Sequence, residues 1–126
     1  MNKKAIQTAA APAALGTYSQ AIRAGDFVFL SGQLGLDPAS GQLREGIDAQ
    51  ITQAFENLKA VAYAAGGTLN HAAKLTLYLT DLAHFSRVNE TMATFFGQPY
   101  PARSTVGVAS LPKGALFEVE AILALG

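Results

Sequence analysis

Two charged residues stand where charge is costly. Arg103 follows Pro101-Ala102 and precedes the run Val106-Gly107-Val108-Ala109. Glu118 lies inside Leu116-Phe117-Glu118-Val119-Glu120-Ala121-Ile122. A charge within an apolar strand must be paired, solvated or used. Side chains alternate along a strand, so Glu118 and Glu120 share one side. If the last two strands pair as a hairpin, Arg103 comes near this carboxylate row; the sequence alone does not fix the register. Two readings follow. One is an Arg–Glu cross-strand ion pair on a wet sheet face. The other is chemical: a guanidinium offers two parallel N–H donors to a substrate carboxylate, and a neighbouring Glu acts as general base.

The remaining candidates are weaker. There is no Cys, which excludes thiolate nucleophiles, disulfides and zinc–thiolate sites. His71 and His84 have no partner at ligand spacing, so they read as surface or capping residues and no metal is expected. Gly32-Gln33-Leu34-Gly35 does not match a phosphate loop. Ser31-Gly32-Gln33 reads instead as a strand end where backbone comes close to another group. Ser19, Ser31 and Ser104 lack a His partner at triad spacing. Tyr18, Phe85 and Tyr100 would line a pocket or fill the core.

These residues need a scaffold. Residues 5–8, 18–22 and 27–31 read as strands, the last two around a turn at Ala24-Gly25-Asp26. Asp37-Pro38-Ala39-Ser40-Gly41 is a second turn. Ile47, Ile51, Ala54, Phe55, Leu58, Val61 and Ala62 recur at helical spacing, with Gln50, Gln53, Asn57 and Lys59 on the opposite face. Asp48 suits the first turn, and Gly66-Gly67 the end. Leu75, Leu77 and Leu79 alternate with Thr76, Tyr78 and Thr80, the period of a strand. Asp81 caps a second helix buried through Phe85, Val88, Met92, Phe95 and Phe96. Residues 103–109 and 116–123 complete the strands. The fold class is α+β: one mixed sheet with two helices packed on one face. No third helix is left for the other face, which points to self-association.

Composition agrees. The 126 residues fit a single domain, 1–126. Charged residues make up only 14 %, against about a quarter in ordinary soluble domains. Nine Lys and Arg balance nine Asp and Glu, so the basic excess of a nucleic-acid binder is missing. No signal-peptide core or membrane-length apolar run occurs, so a cytoplasmic location is expected.

The motifs in order resemble the RidA (YjgF/YER/UK-type) family. The resemblance rests on Gly16-Thr17-Tyr18-Ser19-Gln20-Ala21, Ser31-Gly32-Gln33 with Asp37-Pro38 and Gly41, Asn57-Leu58, and Ala65-Gly66-Gly67. It continues through Lys74, Tyr78-Leu79-Thr80-Asp81, Phe85, Val88-Asn89 and Phe95-Phe96. The most specific block is Pro101-Ala102-Arg103-Ser104, Val108-Ala109, Leu111-Pro112-Lys113-Gly114 and Glu118-Val119-Glu120-Ala121. Together these cover nearly the whole chain. The chain departs from the commonest pattern at Thr17, where Pro is usual, and at Thr105, where many relatives have Cys.

The resemblance implies a chorismate-mutase-like fold and a homotrimer with sites between subunits. It implies a deaminase that hydrolyses reactive 2-imino and enamine acids (2-aminoacrylate, 2-iminopropanoate, 2-iminobutanoate) to 2-keto acids and ammonia, without a cofactor. Carried over, Arg103 clamps the substrate carboxylate and Glu118 activates water. Backbone groups at Gly32 and Thr105 complete the polar contacts with Ser31 nearby, while Tyr18, Phe85 and Asn89 shape the pocket. Three other classes stand beside it: a non-catalytic keto-acid-binding module, an endoribonuclease or translation inhibitor, and a holdase. Charge balance and the lack of paired histidines speak against RNA.

Overall fold

The computed structural model describes residues 2–126. Six strands form one sheet: β1 (Lys3–Ile6), β2 (Ala21–Ala24), β3 (Phe27–Leu34), β4 (Ala72–Leu79), β5 (Ala102–Gly107) and β6 (Phe117–Ala124). Two helices join them, α1 (Ile47–Ala64) between β3 and β4 and α2 (Phe85–Phe95) between β4 and β5. The sheet order is β1-β2-β3-β6-β4-β5. Every neighbouring pair is antiparallel except β4 and β5, which run parallel because α2 carries the chain back between them.

The α+β layout matches expectation, and the pairing of the last strands differs from a hairpin. The final strand inserts between β3 and β4, so β4 separates it from β5. The first two strands also lie apart from their expected bounds: β1 starts earlier, and β2 starts only at Ala21.

The core lies between the sheet and the helices. Ile51, Ala54, Phe55, Leu58, Val61 and Ala62 of α1 are fully buried, as are Leu75, Leu77 and Leu79 of β4. Each large apolar side chain buried this way stabilises the fold by about 1.5–3 kcal/mol. Phe55 anchors the centre, its ring 5.4–5.8 Å from those of Phe95, Phe96 and Phe117. The helix ends where Gly66 turns left-handed, with φ 88°, and Gly67 N–H donates to the Ala62 carbonyl at 3.0 Å. Asp81 accepts from the Ala83 N–H and starts a single 3-10 turn that runs straight into α2.

Two polar residues assigned to the outer face of α1 are in fact inside. Gln50 and Asn57 are 3 % and 1 % exposed. Asn57 donates to the Leu34 and Leu36 carbonyls, and Gln50 links the Arg44 carbonyl to the Leu116 N–H. Backbone entering and leaving the sheet needs partners there, and an amide side chain supplies both donor and acceptor.

The sheet's other face carries no helix. Ile22, Phe29 and Ile122 stand side by side across three strands. Phe27 and Phe29 are about half exposed, and Val106 more than a third. No helix of the described residues is long and apolar enough to cross a membrane.

Candidate active site

The alternation of β6 sends Phe117, Val119, Ala121 and Leu123 into the core and Glu118 and Glu120 onto the open face. Glu118 stands opposite Tyr78 of β4 in the antiparallel register, and Glu120 opposite Thr76. The Tyr78 hydroxyl crosses the register diagonally and donates to Glu120 Oε1.

On the other flank, the β3–β6 register shifts between Leu30 and Gln33. This irregularity brings Gly32 against the Glu118 side chain, where any Cβ would overlap the carboxylate. The close approach anticipated at Ser31-Gly32-Gln33 is therefore to Glu118. Burial, and then the charge of Glu120, push the Glu118 carboxyl above the usual carboxylate range.

Glu118 opens into a cavity of roughly 570 Å³, lined also by Tyr18, Ser31, Gly32 and Lys113. Its wall is the connection ahead of β2, which has no regular structure of its own. Gln20 holds it. The buried Gln20 amide accepts from Thr8 N–H at 2.7 Å and donates to the carbonyls of Thr8, Ala11 and Pro12. Ser31 adds a second tie: its hydroxyl donates to the Ser19 carbonyl at 2.6 Å. Tyr18, about half exposed, is thereby fixed at the rim. Lys113 at the same cavity has φ 59°, a left-handed backbone that costs a non-glycine residue about 1 kcal/mol or more.

Arg103 is elsewhere. On β5 it pairs with Leu75, and Thr105 with Leu77. Both leucines face the helices, so Arg103 and Thr105 do too. The guanidinium lies over the Phe85 ring, 5.0 Å from its centroid, and its Nη1 is 3.5 Å from Met92 Sδ, a weak acceptor. Arg103, Asn89, Met92, Ala93, Tyr100 and Pro101 line a second cavity of roughly 390 Å³. Phe85, expected in the core, is 37 % exposed and forms the floor under the guanidinium. Thr105 Oγ1 is buried without a hydrogen-bond partner.

The nominated residues thus fall into two clusters on opposite faces of one sheet. Tyr18, Ser31, Gly32 and Glu118 make one; Phe85, Asn89, Arg103 and Thr105 make the other. The Arg103–Glu118 ion pair weighed from the sequence does not form within the chain. Among the described residues, the ion pairs are Arg44–Asp37 and Arg87–Asp48.

Three contributors escaped the sequence reading in these roles: Gln20, Tyr78 as a donor to Glu120, and the left-handed Lys113. Only Lys113, between Pro112 and Gly114, carried a local signal of tight backbone. His71 caps the 3-10 turn Leu69–His71, accepting from Thr68 N–H. No group of three His, Cys, Asp or Glu side chains among the described residues could hold a metal ion. A further groove of roughly 560 Å³ between the ends of α1 and α2 contains none of the nominated residues.

The chain is similar in sequence and fold to known proteins over almost its full length. The family model described as Endoribonuclease L-PSP matches residues 8–125. A RutC family protein of Pyrococcus horikoshii is 47% identical over 121 residues, 95% of this chain and 96% of the relative. A 2-iminobutanoate/2-iminopropanoate deaminase of Mus musculus is 44% identical over 125 residues, 98% of this chain and 93% of the relative. The crystal structure of RidA from the Antarctic bacterium Psychrobacter sp. superposes with a TM-score of 0.94 at 53% identity, covering 96% of this chain and 98% of that one. With a family model spanning nearly every residue and such identities end to end, the chain belongs to the Endoribonuclease L-PSP family, that of the RutC, YjgF and RidA proteins.

Proposed function

We propose that the protein is a cytoplasmic imine deaminase that hydrolyses small 2-imino acids and their enamine tautomers to 2-keto acids and ammonia, at sites built between subunits of a homotrimer. The observation that carries this reading is the separation of a carboxylate-binding cluster from a base-bearing cluster, each incomplete alone. The relatives named 2-iminobutanoate/2-iminopropanoate deaminase support the substrate class.

The proposed assembly brings the Arg103 face of one protomer to the Glu118 face of the next. The apolar row Ile22, Phe29 and Ile122 supports it, being an uncovered surface beside Glu118. Arg103 then clamps the substrate carboxylate with two N–H donors, its plane held by Phe85. The backbone at Thr105, two residues along the same strand face, supplies a further polar contact.

Glu118 takes a proton from water as its oxygen adds to C2. The C=N electron pair moves to nitrogen, which takes the proton that Glu118 received from water. The tetrahedral adduct then collapses to C=O and expels ammonia. A carboxyl raised above its ordinary range is a stronger base for the first step. Holding water and C2 together supplies much of the remaining rate. The family description speaks of an endoribonuclease, yet the charges of the chain balance and neither His71 nor His84 lines the two cavities.

The test generates 2-iminobutanoate in situ with a threonine dehydratase and follows keto-acid release. Added protein should accelerate it, and Arg103→Ala should abolish the acceleration. Binding of 2-ketobutyrate without acceleration would replace catalysis by sensing.

A further inference from the structure

We propose that Tyr78 and Glu120 are a positioning pair that keeps Glu118 the proton-accepting member of its carboxylate row. The inference rests on the hydrolytic role given to Glu118 and adds two residues that do not touch substrate.

Two carboxylates two residues apart on one strand face compete for one proton. Which of them titrates as the working base depends on what each is bonded to. The geometry is asymmetric here. Glu120 receives the Tyr78 hydroxyl, which holds its carboxylate on the β4 side of the row. Among the described residues no side chain donates a hydrogen bond to Glu118; it lies half-buried against Gly32, facing the cavity. Tyr78 stands directly opposite Glu118 in register, so only its diagonal reach assigns the phenol to Glu120.

The perturbations agree with this division. The Tyr78 phenol is pushed up to about 12, first by its bond to Glu120, then by burial, then by the charges of Glu120 and Glu118. The proton therefore stays on the phenol. The negative charge of Glu120 in turn raises Glu118.

Few other groups face this row. Lys74 and Thr76 lie along β4, and the Lys74 ammonium is engaged by Ser104 Oγ of β5 at 3.2 Å. Lys113 approaches from the turn before β6, and Tyr18 from the connection ahead of β2. Lys3 of β1 shares a shallow hollow with Glu120, Tyr18 and Ser31. The β3 side contributes Ser31, Gly32, Gln33 and Leu34 near Glu118, all uncharged.

The experiment follows the Glu118 carboxyl by carbon-detected NMR titration in the wild type, Glu120→Gln and Tyr78→Phe, and the pH profile of kcat/KM in the same proteins. In Glu120→Gln the Glu118 midpoint and the acid limb should both move to lower pH, and the plateau rate should fall several-fold because the base is weaker. The phenolate absorbance of Tyr78 should appear nearer pH 10 than 12. In Tyr78→Phe the Glu118 midpoint should also move, because the phenol no longer holds Glu120 in place. An unchanged Glu118 midpoint in Glu120→Gln overturns the proposal. Absence of wild-type turnover would instead overturn the deaminase reading, and the titration would still decide the pair.

Discussion

Arg103 and Glu118 stand on opposite faces of the same sheet, Arg103 against α2 and Glu118 on the face without helices. One strand, β4, lies between their strands. No rotamer change brings them together, since the sheet itself intervenes.

Mixing therefore has a definite outcome. Arg103→Ala and Glu118→Gln chains should each be inactive alone. Unfolded together and refolded as mixed oligomers, they should recover a fraction of wild-type turnover, because some interfaces would pair an intact Arg103 with an intact Glu118. A coupled keto-acid assay on the mixture reads this directly, and inactive mixtures would remove the intersubunit site.

Gly32→Ala is a sharper probe of the Glu118 cluster. The added methyl occupies the space of the carboxylate, while the backbone conformation at position 32 is one any residue adopts. Turnover should fall by about 10²-fold, as for other small displacements of a catalytic group. Thermal unfolding should change only slightly. Full activity would mean that Glu118 does not work from this position.

Gln20→Leu should act on the scaffold. It leaves Thr8 N–H and the carbonyls of Thr8, Ala11 and Pro12 without their partner. Unmet buried groups cost about 1–3 kcal/mol each, so a loss of about 2 kcal/mol is expected after partial hydration. Denaturant unfolding measures it, and faster proteolysis before residue 20 should accompany it.

Stability should also respond to pH through Glu118. Its carboxyl is raised in the folded chain, so the folded state binds more protons than the unfolded one just above the ordinary value of 4.5. Stability attributable to this group is full below that value and falls as pH rises through the raised one. Glu118→Gln should therefore be the more stable protein at neutral pH, with the difference vanishing in acid. Melting curves across that range check the sign.

Legibility in the sequence followed periodicity. The apolar stripe of α1 and the alternation of Leu75, Leu77 and Leu79 have a single reading, and both elements formed. Arg103 and Glu118 were conspicuous because charge in an apolar strand is costly. Their relation was not legible, since it depends on which strands are neighbours. That was settled by the α2 crossover, which makes β5 parallel to β4 and leaves β6 to enter between β4 and β3. Gln50 and Asn57 misled for a different reason: amides look like surface residues until the backbone groups they must satisfy are known. Phe85 had two readings, core or pocket wall, and its place under the Arg103 guanidinium depends on which strand α2 packs beside.

A chain with its two polar clusters facing opposite ways has a consequence for enzyme kinetics. If a working site needs clusters from two chains, rate per chain is not a constant of the molecule. It falls on dilution toward the dissociation constant of the assembly, and a freshly made protomer is silent until it meets others. Substitutions on the apolar row Ile22, Phe29 and Ile122, remote from every reacting atom, would then register as losses of activity that added protein restores.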